Sequence, residues 1–414
     1  MEKSVPPGSV RGTLRPPCSK SYAQRALALS LLSEGTTTLR NIEFCQDTRS
    51  ALGCIQALGA QIEEVDDSTL RITGGLRPLD MRLQVGESGL ASRLFTPIAS
   101  LWNHPIRIEG TGSLLERPMQ MMIEPLRRLG VAVSDTLGHL PFEVCGPLRG
   151  GEIEVDGSLS SQFITGLLLA LPLAEEDTTL YVENPVSTPY IDMTIDTAAR
   201  FGVEIFHKEY REYFIPGKQR YTAQELAIEG DWSAAAMLLV AGAVAGEVRV
   251  ENLSSLSKQA DTAIIDALTR AGAYVEVEPN AVTAARRELH GFEFDATNCP
   301  DLFPALATLA ACSEGETTLY GASRLRHKES DRAAAIEEEF GKLGIEVEVE
   351  GDVMRITGGA IHATRVDSHN DHRMAMTLAV AALRSDGTMT IEGAESVAKS
   401  YPDFFEELEQ IRVK

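Results

Sequence analysis

In "RPPCSKSYAQRALALSLL" a lysine, Lys20, stands between Ser19 and Ser21 where an apolar, helix-periodic run begins, and Arg25 follows inside that run. A helix start carries unpaired N–H groups and partial positive charge, so a cation there is disfavoured unless an anion sits between them. The same conflict recurs at "HNDHRMAMTLAVAALR", where Arg373 opens another apolar run. Lys20 is therefore read as sharing a bound anion with its helix end, with Ser19 and Ser21 as hydroxyl donors. Other basic clusters suit the same chemistry. "GSLLERPM" puts Arg117 just before a proline that can occupy a first helical turn, and "AKSYPDFF" places Lys399 ahead of the last helix. In "RLRHKESDR", residues 324–332, Lys328 and Arg332 are four apart, which predicts one helical face, with Glu329 beside them.

Other chemistries find less support. His369, Asp371 and His372 of "HNDHR" are metal-ligand types, but three ligands so close along the chain rarely suit one ion without partners from elsewhere. No glycine pattern for dinucleotides or a phosphate-binding loop is present. The six cysteines lack metal-ligand spacing and read as reduced thiols. No cofactor and no metal are expected. The formal net charge of −22 repels nucleic acid and anionic membranes, so an anionic small molecule needs a local basic pocket. No apolar run is long enough to span a bilayer and the N-terminus lacks a secretory core, so a cytoplasmic protein is expected, acting as a monomer.

The elements that must position these residues repeat along the chain. An amphipathic helix ending in glycine and followed by a strand-like run recurs, closing at Gly59, Gly130, Gly202, Gly272 and Gly344, with spacings of 71, 72, 70 and 72 residues. A sixth copy, "YPDFFEELEQIRVK", ends the chain. A more apolar helix precedes each copy, and short strands such as "TTLYVEN" link the pairs. The unit reads strand, helix, strand, helix, then two strands. The sixth lacks its trailing strands, and the N-terminal "GSVRGTLRPP" has the strand character to replace them. Residues 1–17 are accordingly expected to pack with the C-terminal half, giving domains 18–228 and 1–17 plus 229–414. The six apolar helices start with polar clusters: "CSKS", "GESG", "SLSSQ", "GDWS", "NCPD" and "HNDHR". Serine, aspartate and asparagine there are also ordinary N-caps. With pseudo-threefold symmetry in each half, two facing sets of helix starts would enclose an anion-attracting cleft.

The motifs "SKSYAQR", "ERP", "SLSSQF", "STPYID", "KESDR", "NDHRMAM" and "AKSYPDFF" resemble, in order and spacing across almost the whole chain, the 3-phosphoshikimate 1-carboxyvinyltransferase (EPSP synthase) family of enolpyruvyl transferases. The resemblance implies an α/β fold, a two-domain inside-out α/β barrel of six βαβαββ repeats, three per domain, with the active site in the interdomain cleft. It implies transfer of the enolpyruvyl group of phosphoenolpyruvate to the 5-hydroxyl of shikimate 3-phosphate, with release of phosphate through a tetrahedral ketal, in aromatic amino-acid biosynthesis. Carried over by motif, Lys20, Ser21, Arg25, Ser160, Ser161, Gln162, Ser187, Tyr190, Asp301 and Lys328 would hold shikimate 3-phosphate. Lys20, Gly89, Arg117, Gln162, Arg332, His372, Arg373 and Lys399 would hold phosphoenolpyruvate. Asp301 would act as base on the hydroxyl and Glu329 as partner acid/base, with Lys20 assisting.

Two places depart from the pattern. Glu87 and Leu90 of "GESGLASRLF" replace a common asparagine and threonine, and Arg324 stands where an asparagine commonly contacts shikimate 3-phosphate. A carboxylate beside an anion site should weaken binding unless it points away or pairs with a cation such as Arg93. Two other readings remain. The sister family acting on UDP-N-acetylglucosamine typically has Lys-Asn where Lys20 and Ser21 stand here, and often a loop cysteine that "TGSLLERP" lacks. A non-catalytic relative binding a phosphorylated metabolite would have no need of both Asp301 and Glu329.

Overall fold

The computed structural model describes residues 1–413, with the side chains of residues 135, 136 and 327 set aside. Lys414, the end of the sixth copy, and the His327 side chain of the basic cluster thus lie outside the description. The chain divides into two compact units, Cys18–Ile228 and Met1–Pro17 with Glu229–Lys414. Among the described residues, no helix is long and apolar enough to cross a membrane.

The interior of the 18–228 unit is built from three helices, Lys20–Leu32, Gly89–Ala99 and Gln162–Ala170. They are largely apolar around their whole circumference, with Gln24, Arg25 and Ser30 as buried polar exceptions in the first, and only burial on every side removes that surface from water. Every residue of Gly89–Ala99 is buried. Lys20–Leu32 is buried from Tyr22 onward, and Gln162–Ala170 from Phe163 onward. Each of these two helices therefore keeps only its polar first turn accessible.

Three four-stranded sheets enclose these helices among the described residues. In one, Gly151–Asp156 runs parallel to Thr178–Glu183, with Ile153 opposite Leu180 and Val155 opposite Val182; Thr178–Glu183 then pairs antiparallel with Glu212–Ile215. A parallel pair needs a crossover, which the buried helix supplies, whereas Glu212–Ile215 is reached through a second helix, Thr188–Arg200, and the strand Phe206–Lys208, with which it forms a hairpin. The sheet of the first repeat takes its leading strand from the far end of the unit, where Glu225–Ala227 lies parallel to Thr36–Arg40.

The other unit repeats the plan with Trp232–Ala245, Phe303–Ala311 and His372–Ala382, all wholly buried. The amino-terminal strands are shared out differently from the sequence expectation. Glu2–Val5 closes the last sheet, antiparallel to Met389–Glu392, whereas Val10–Leu14, inside "GSVRGTLRPP", runs parallel to Gly246–Glu251 and leads the fourth repeat's sheet. Both segments have strand character, and only the available partner edges decide which pairs where. The architecture is α/β, with six βαβαββ repeats, helices inside and sheets outside.

The five repeat-closing glycines share one conformation, with φ of 111°, 84°, 88°, 90° and 85° at Gly59, Gly130, Gly202, Gly272 and Gly344. At the first, the Gly59 N–H donates to Gln56 O at 3.0 Å and the Ala60 N–H to Ile55 O at 2.9 Å. This left-handed cap satisfies the last carbonyls of the helix and turns the chain into the next strand, at little cost only for glycine.

Candidate active site

Each unit gathers its own set of polar residues at the helix starts. In the 18–228 unit, Ser19 is fully buried and its hydroxyl accepts the Tyr22 N–H at 3.4 Å. Ser19 is thus the N-cap of its helix, the ordinary role of a serine at this position. Lys20 turns outward from this cap, its Nζ 2.9 Å from Asp47 Oδ2. Asp47 lies in the first turn of Gln46–Ala57, where an acidic residue is the ordinary preference, so nothing in the sequence singled it out.

Arg25 is buried and bonded throughout. Nε donates to Thr194 Oγ1 at 2.9 Å, Nη1 to Ser21 O at 2.8 Å, and Nη2 to Thr165 Oγ1 and Tyr190 O, both at 3.2 Å. Burial lowers its pKa to about 10, which leaves it charged at neutral pH. The guanidinium ties the backbone of Ser21 to that of Tyr190, so it fixes two of the residues expected to bind beside it. Ser187, the N-cap of Thr188–Arg200, has φ of 55°. A serine in the left-handed region carries about 1 kcal/mol or more of strain, which such sites commonly tolerate for a positioned hydroxyl. Ser160 Oγ accepts the Gln162 N–H at 3.2 Å, and Ser161 beside it is buried.

Gly89, Arg117 and Gln162 converge. A Cβ on Gly89 would lie 2.8 Å from Arg117 Nη1, 3.2 Å from Arg93 Nη1 and 3.5 Å from Gln162 Oε1. Arg93, which the sequence reading considered only as a partner for Glu87, donates to Gln162 Oε1 at 2.7 Å and to Pro118 O at 3.2 Å. The Glu87 carboxylate accepts the Ser113 N–H and hydroxyl at 3.3 and 3.1 Å, bracing the turn Gly112–Glu116 that leads to Arg117. Pro118 falls short of the next helix, which begins at Gln120 with Met119 as its cap; this corrects the expected first-turn position.

In the other unit the Asp301 carboxylate is the hub. Oδ1 lies 3.2 Å from Lys328 Nζ and 2.8 Å from Arg332 Nη1, and Oδ2 lies 3.3 Å from Arg373 Nη2. Arg332, fully buried, also gives Nη2 to Glu329 at 2.5 Å and Nε to Asp371 at 2.7 Å. Burial works against the charge of Arg332, but Asp371, Glu329 and Asp301 outweigh it and raise its pKa. Burial likewise opposes the Asp371 carboxylate, yet Arg332 holds its pKa below the usual range. Lys328 moves the other way, its pKa lowered chiefly by burial. His372 is 1% exposed, with Nδ1 3.7 Å from Asp371 Oδ1, and Lys399 donates to Asn370 O at 2.7 Å.

The predicted shared helical face for Lys328 and Arg332 is not formed. Lys328 is extended after the turn Ala322–His327, and Arg332 begins the helix Arg332–Lys342 behind the cap Asp331. The two cations meet instead across Asp301, from the start of the preceding helix of the same repeat, a contact that i,i+4 spacing does not encode. The metal alternative also disperses: His369 bonds to Glu339 at 2.7 Å while Asp371 bonds to Arg332. Glu338, Glu339 and His369 do lie together, but Lys342 Nζ sits 2.8 Å from both carboxylates and already meets their charge. Arg324 gives Nη1 to the carbonyl of Thr297, which turns it toward the backbone ahead of Asp301.

Chemically, one unit offers cations and hydroxyls around Lys20, Gly89 and Gln162, and the other offers two carboxylates held by three cations. Such sets bind anions and handle protons. A family description, EPSP synthase (3-phosphoshikimate 1-carboxyvinyltransferase), matches residues 5–408. The 3-phosphoshikimate 1-carboxyvinyltransferase of Methanosarcina acetivorans is 38% identical over 426 residues, covering 100% of this chain and 98% of the relative. That of Clostridium novyi is 35% identical over 417 residues, covering 98% and 96%. The solved EPSP synthase of Acinetobacter baumannii superimposes with a TM-score of 0.85 at 28% identity, covering 100% of this chain and 98% of that one.

Proposed function

Since the chain belongs to the EPSP synthase (3-phosphoshikimate 1-carboxyvinyltransferase) family, we propose how its own residues divide the labour of that reaction. The enzyme transfers the enolpyruvyl group of phosphoenolpyruvate to the 5-hydroxyl of shikimate 3-phosphate and releases phosphate. Residues of both units serve the one reaction. Ser21, Arg25, Ser160, Ser161, Ser187, Tyr190 and Lys328 hold shikimate 3-phosphate. Gly89, Arg117, Arg332, His372, Arg373 and Lys399 surround phosphoenolpyruvate, and Lys20 and Gln162 touch both.

In the addition step the 5-hydroxyl oxygen bonds to C2 of phosphoenolpyruvate, the hydroxyl proton leaves to a base, and C3 gains a proton to become a methyl. In the elimination step C3 loses a proton, the double bond re-forms and the C2–O bond to phosphate breaks. Asp301 serves as the base on the hydroxyl and Glu329 as the acid/base at C3, with Lys20 assisting proton movement. Arginine and lysine side chains neutralise the phosphate and carboxylate groups.

The observation that carries this reading is the clamp on Asp301. Lys328, Arg332 and Arg373 fix a carboxylate in place, with Glu329 held by the same Arg332. A passive phosphometabolite binder gains nothing from two carboxylates at an anion site. Phosphate release with phosphoenolpyruvate and either shikimate 3-phosphate or UDP-N-acetylglucosamine tests it: turnover is expected with the first acceptor only. Turnover with the second, or with neither, overturns the assignment. On the same footing we place the enzyme in the cytoplasm as a monomer; cell fractionation checks the first and sedimentation of the purified chain the second.

A further inference from the structure

Next to Asp301 lies a buried carboxyl with no part in the reaction above. Asp261, 1% exposed, sits in the single turn Ala260–Ala263. Its Oδ2 accepts the hydroxyl of Ser233, from the first turn of Trp232–Ala245, and its Oδ1 has no hydrogen-bond partner. The segment ahead of it is fastened to the same helix start: Gln259 Oε1 accepts the Trp232 N–H at 3.1 Å, and Gln259 Nε2 donates to Gly230 O at 2.8 Å. The turn Pro300–Leu302, which carries Asp301, packs on that helix too.

Arg373 reaches this cluster from His372–Ala382. It is 5% exposed, gives Nη2 to Asp301, and leaves its Nε without a hydrogen-bond partner. Asp261 and Arg373 are within electrostatic reach of each other. One cluster thus contains an orphaned carboxyl oxygen and an orphaned guanidinium N–H, both buried, a costly arrangement if it served packing alone.

We propose that Asp261 is a positioning residue whose carboxyl, fixed by Ser233, competes with the anionic substrate for the Arg373 guanidinium. The inference rests on the reading of Arg373 as a phosphoenolpyruvate ligand. Protonated, Asp261 leaves Arg373 with Asp301 as its carboxylate partner and charge to spare for an incoming anion. Ionised, it draws the guanidinium inward. The charged and titratable groups facing Asp261 are Asp231 at the helix cap, Asp301, the Cys299 thiol and Arg373, so carboxylates outnumber cations. Burial first, then the charge of Asp301, push Asp261 up to about 7, against the pull of Arg373 and the bond from Ser233. Its charge therefore changes within the working range of an enzyme at neutral pH.

The test is the pH profile of KM for phosphoenolpyruvate, over about pH 6 to 9, in wild type, Asp261→Asn and Ser233→Ala. In wild type, KM is expected to rise about fivefold or more, relative to Asp261→Asn, as pH passes through about 7, with kcat changing less. The ionisation of the substrate is common to both proteins and cancels in that ratio. Ser233→Ala removes a bond that favours the ionised carboxyl, so the midpoint moves to higher pH; a purely structural role would not move it. Parallel KM profiles of wild type and Asp261→Asn overturn the proposal. If Asp261→Asn fails to fold, an unmoved midpoint in Ser233→Ala overturns it instead. Arg373→Gln separates the premise. If it leaves KM for phosphoenolpyruvate at the wild-type value, the reading of Arg373 has failed and the proposal with it. If it raises KM while the other profiles stay parallel, only the part assigned to Asp261 has failed.

Discussion

Lys20 and Asp47 face each other at 2.9 Å from the first turns of two helices, each side chain only 15% exposed. A half-screened pair of this kind orients the ammonium more than it stabilises the fold. Asp47→Asn should therefore lower kcat/KM by about tenfold to a hundredfold while thermal unfolding stays near wild type. Unchanged kinetics would mean that the pair does not set the position of Lys20.

Asp301 and Glu329 are linked through one guanidinium, which makes their deletions unequal. Glu329→Gln keeps a hydrogen-bond acceptor for Arg332 and should lose about 10²- to 10⁴-fold in turnover with the protein folded. Asp301→Asn should lose a similar factor, with some loss of stability as well, since three cations lose their shared counter-charge. Single-turnover phosphate release with a circular-dichroism melt of each variant reads both effects. Near-normal turnover in either removes the role assigned to it.

Arg332 and Asp371 are both fully buried, so breaking their pair strands a charge. Arg332→Met should destabilise that unit by about 3 to 5 kcal/mol, measured by denaturant unfolding. A change below about 1 kcal/mol would show that the buried carboxylate finds another way to be neutralised.

At Gly89 an added methyl would sit 2.8 Å from Arg117 Nη1, the far end of a flexible side chain. The fold can absorb that contact, but the guanidinium must shift. Gly89→Ala should raise KM for phosphoenolpyruvate by about tenfold and leave that for shikimate 3-phosphate little changed, as steady-state kinetics in each substrate will show.

Asp261 also makes stability depend on pH. Its folded pKa of about 7 lies above the unfolded value, so between about pH 4 and 7 the unfolded chain releases a proton that the folded one keeps. Its contribution to stability is greatest below about pH 4 and falls until about pH 7, by a total of the order of 4 kcal/mol. Denaturant midpoints across that window should fall less steeply in Asp261→Asn than in wild type. Identical slopes would show that the buried carboxyl titrates as an ordinary one.

Much of this was legible in the chain. The spacing of Gly59, Gly130, Gly202, Gly272 and Gly344 marks the repeats because a left-handed helix cap tolerates little else. Lys20 and Arg373 stand out because each opposes the helix field. Contacts between the two helix starts of one repeat were not legible. Asp301 meets Lys328 and Arg332 from another turn, and Asp261 meets Ser233 across 28 positions. The spacing of Lys328 and Arg332 suggested a helix face that the extended backbone at Lys328 removes.

The sequence alone determined the local elements, because apolar periodicity, caps and glycine stops act over a few residues and leave a mark at fixed spacing. It also marked the two side chains, Lys20 and Arg373, that conflict with their helix ends, and the structure sets Asp47 and Asp301 beside them. Only the tertiary structure decided which strand of residues 1–17 joins which sheet, and that Asp301 and Asp371 share Arg332 with Glu329. Those outcomes depend on edges and charges brought together from distant positions in the chain, where the energy lies in burial and pairing and the spacing carries no trace of it.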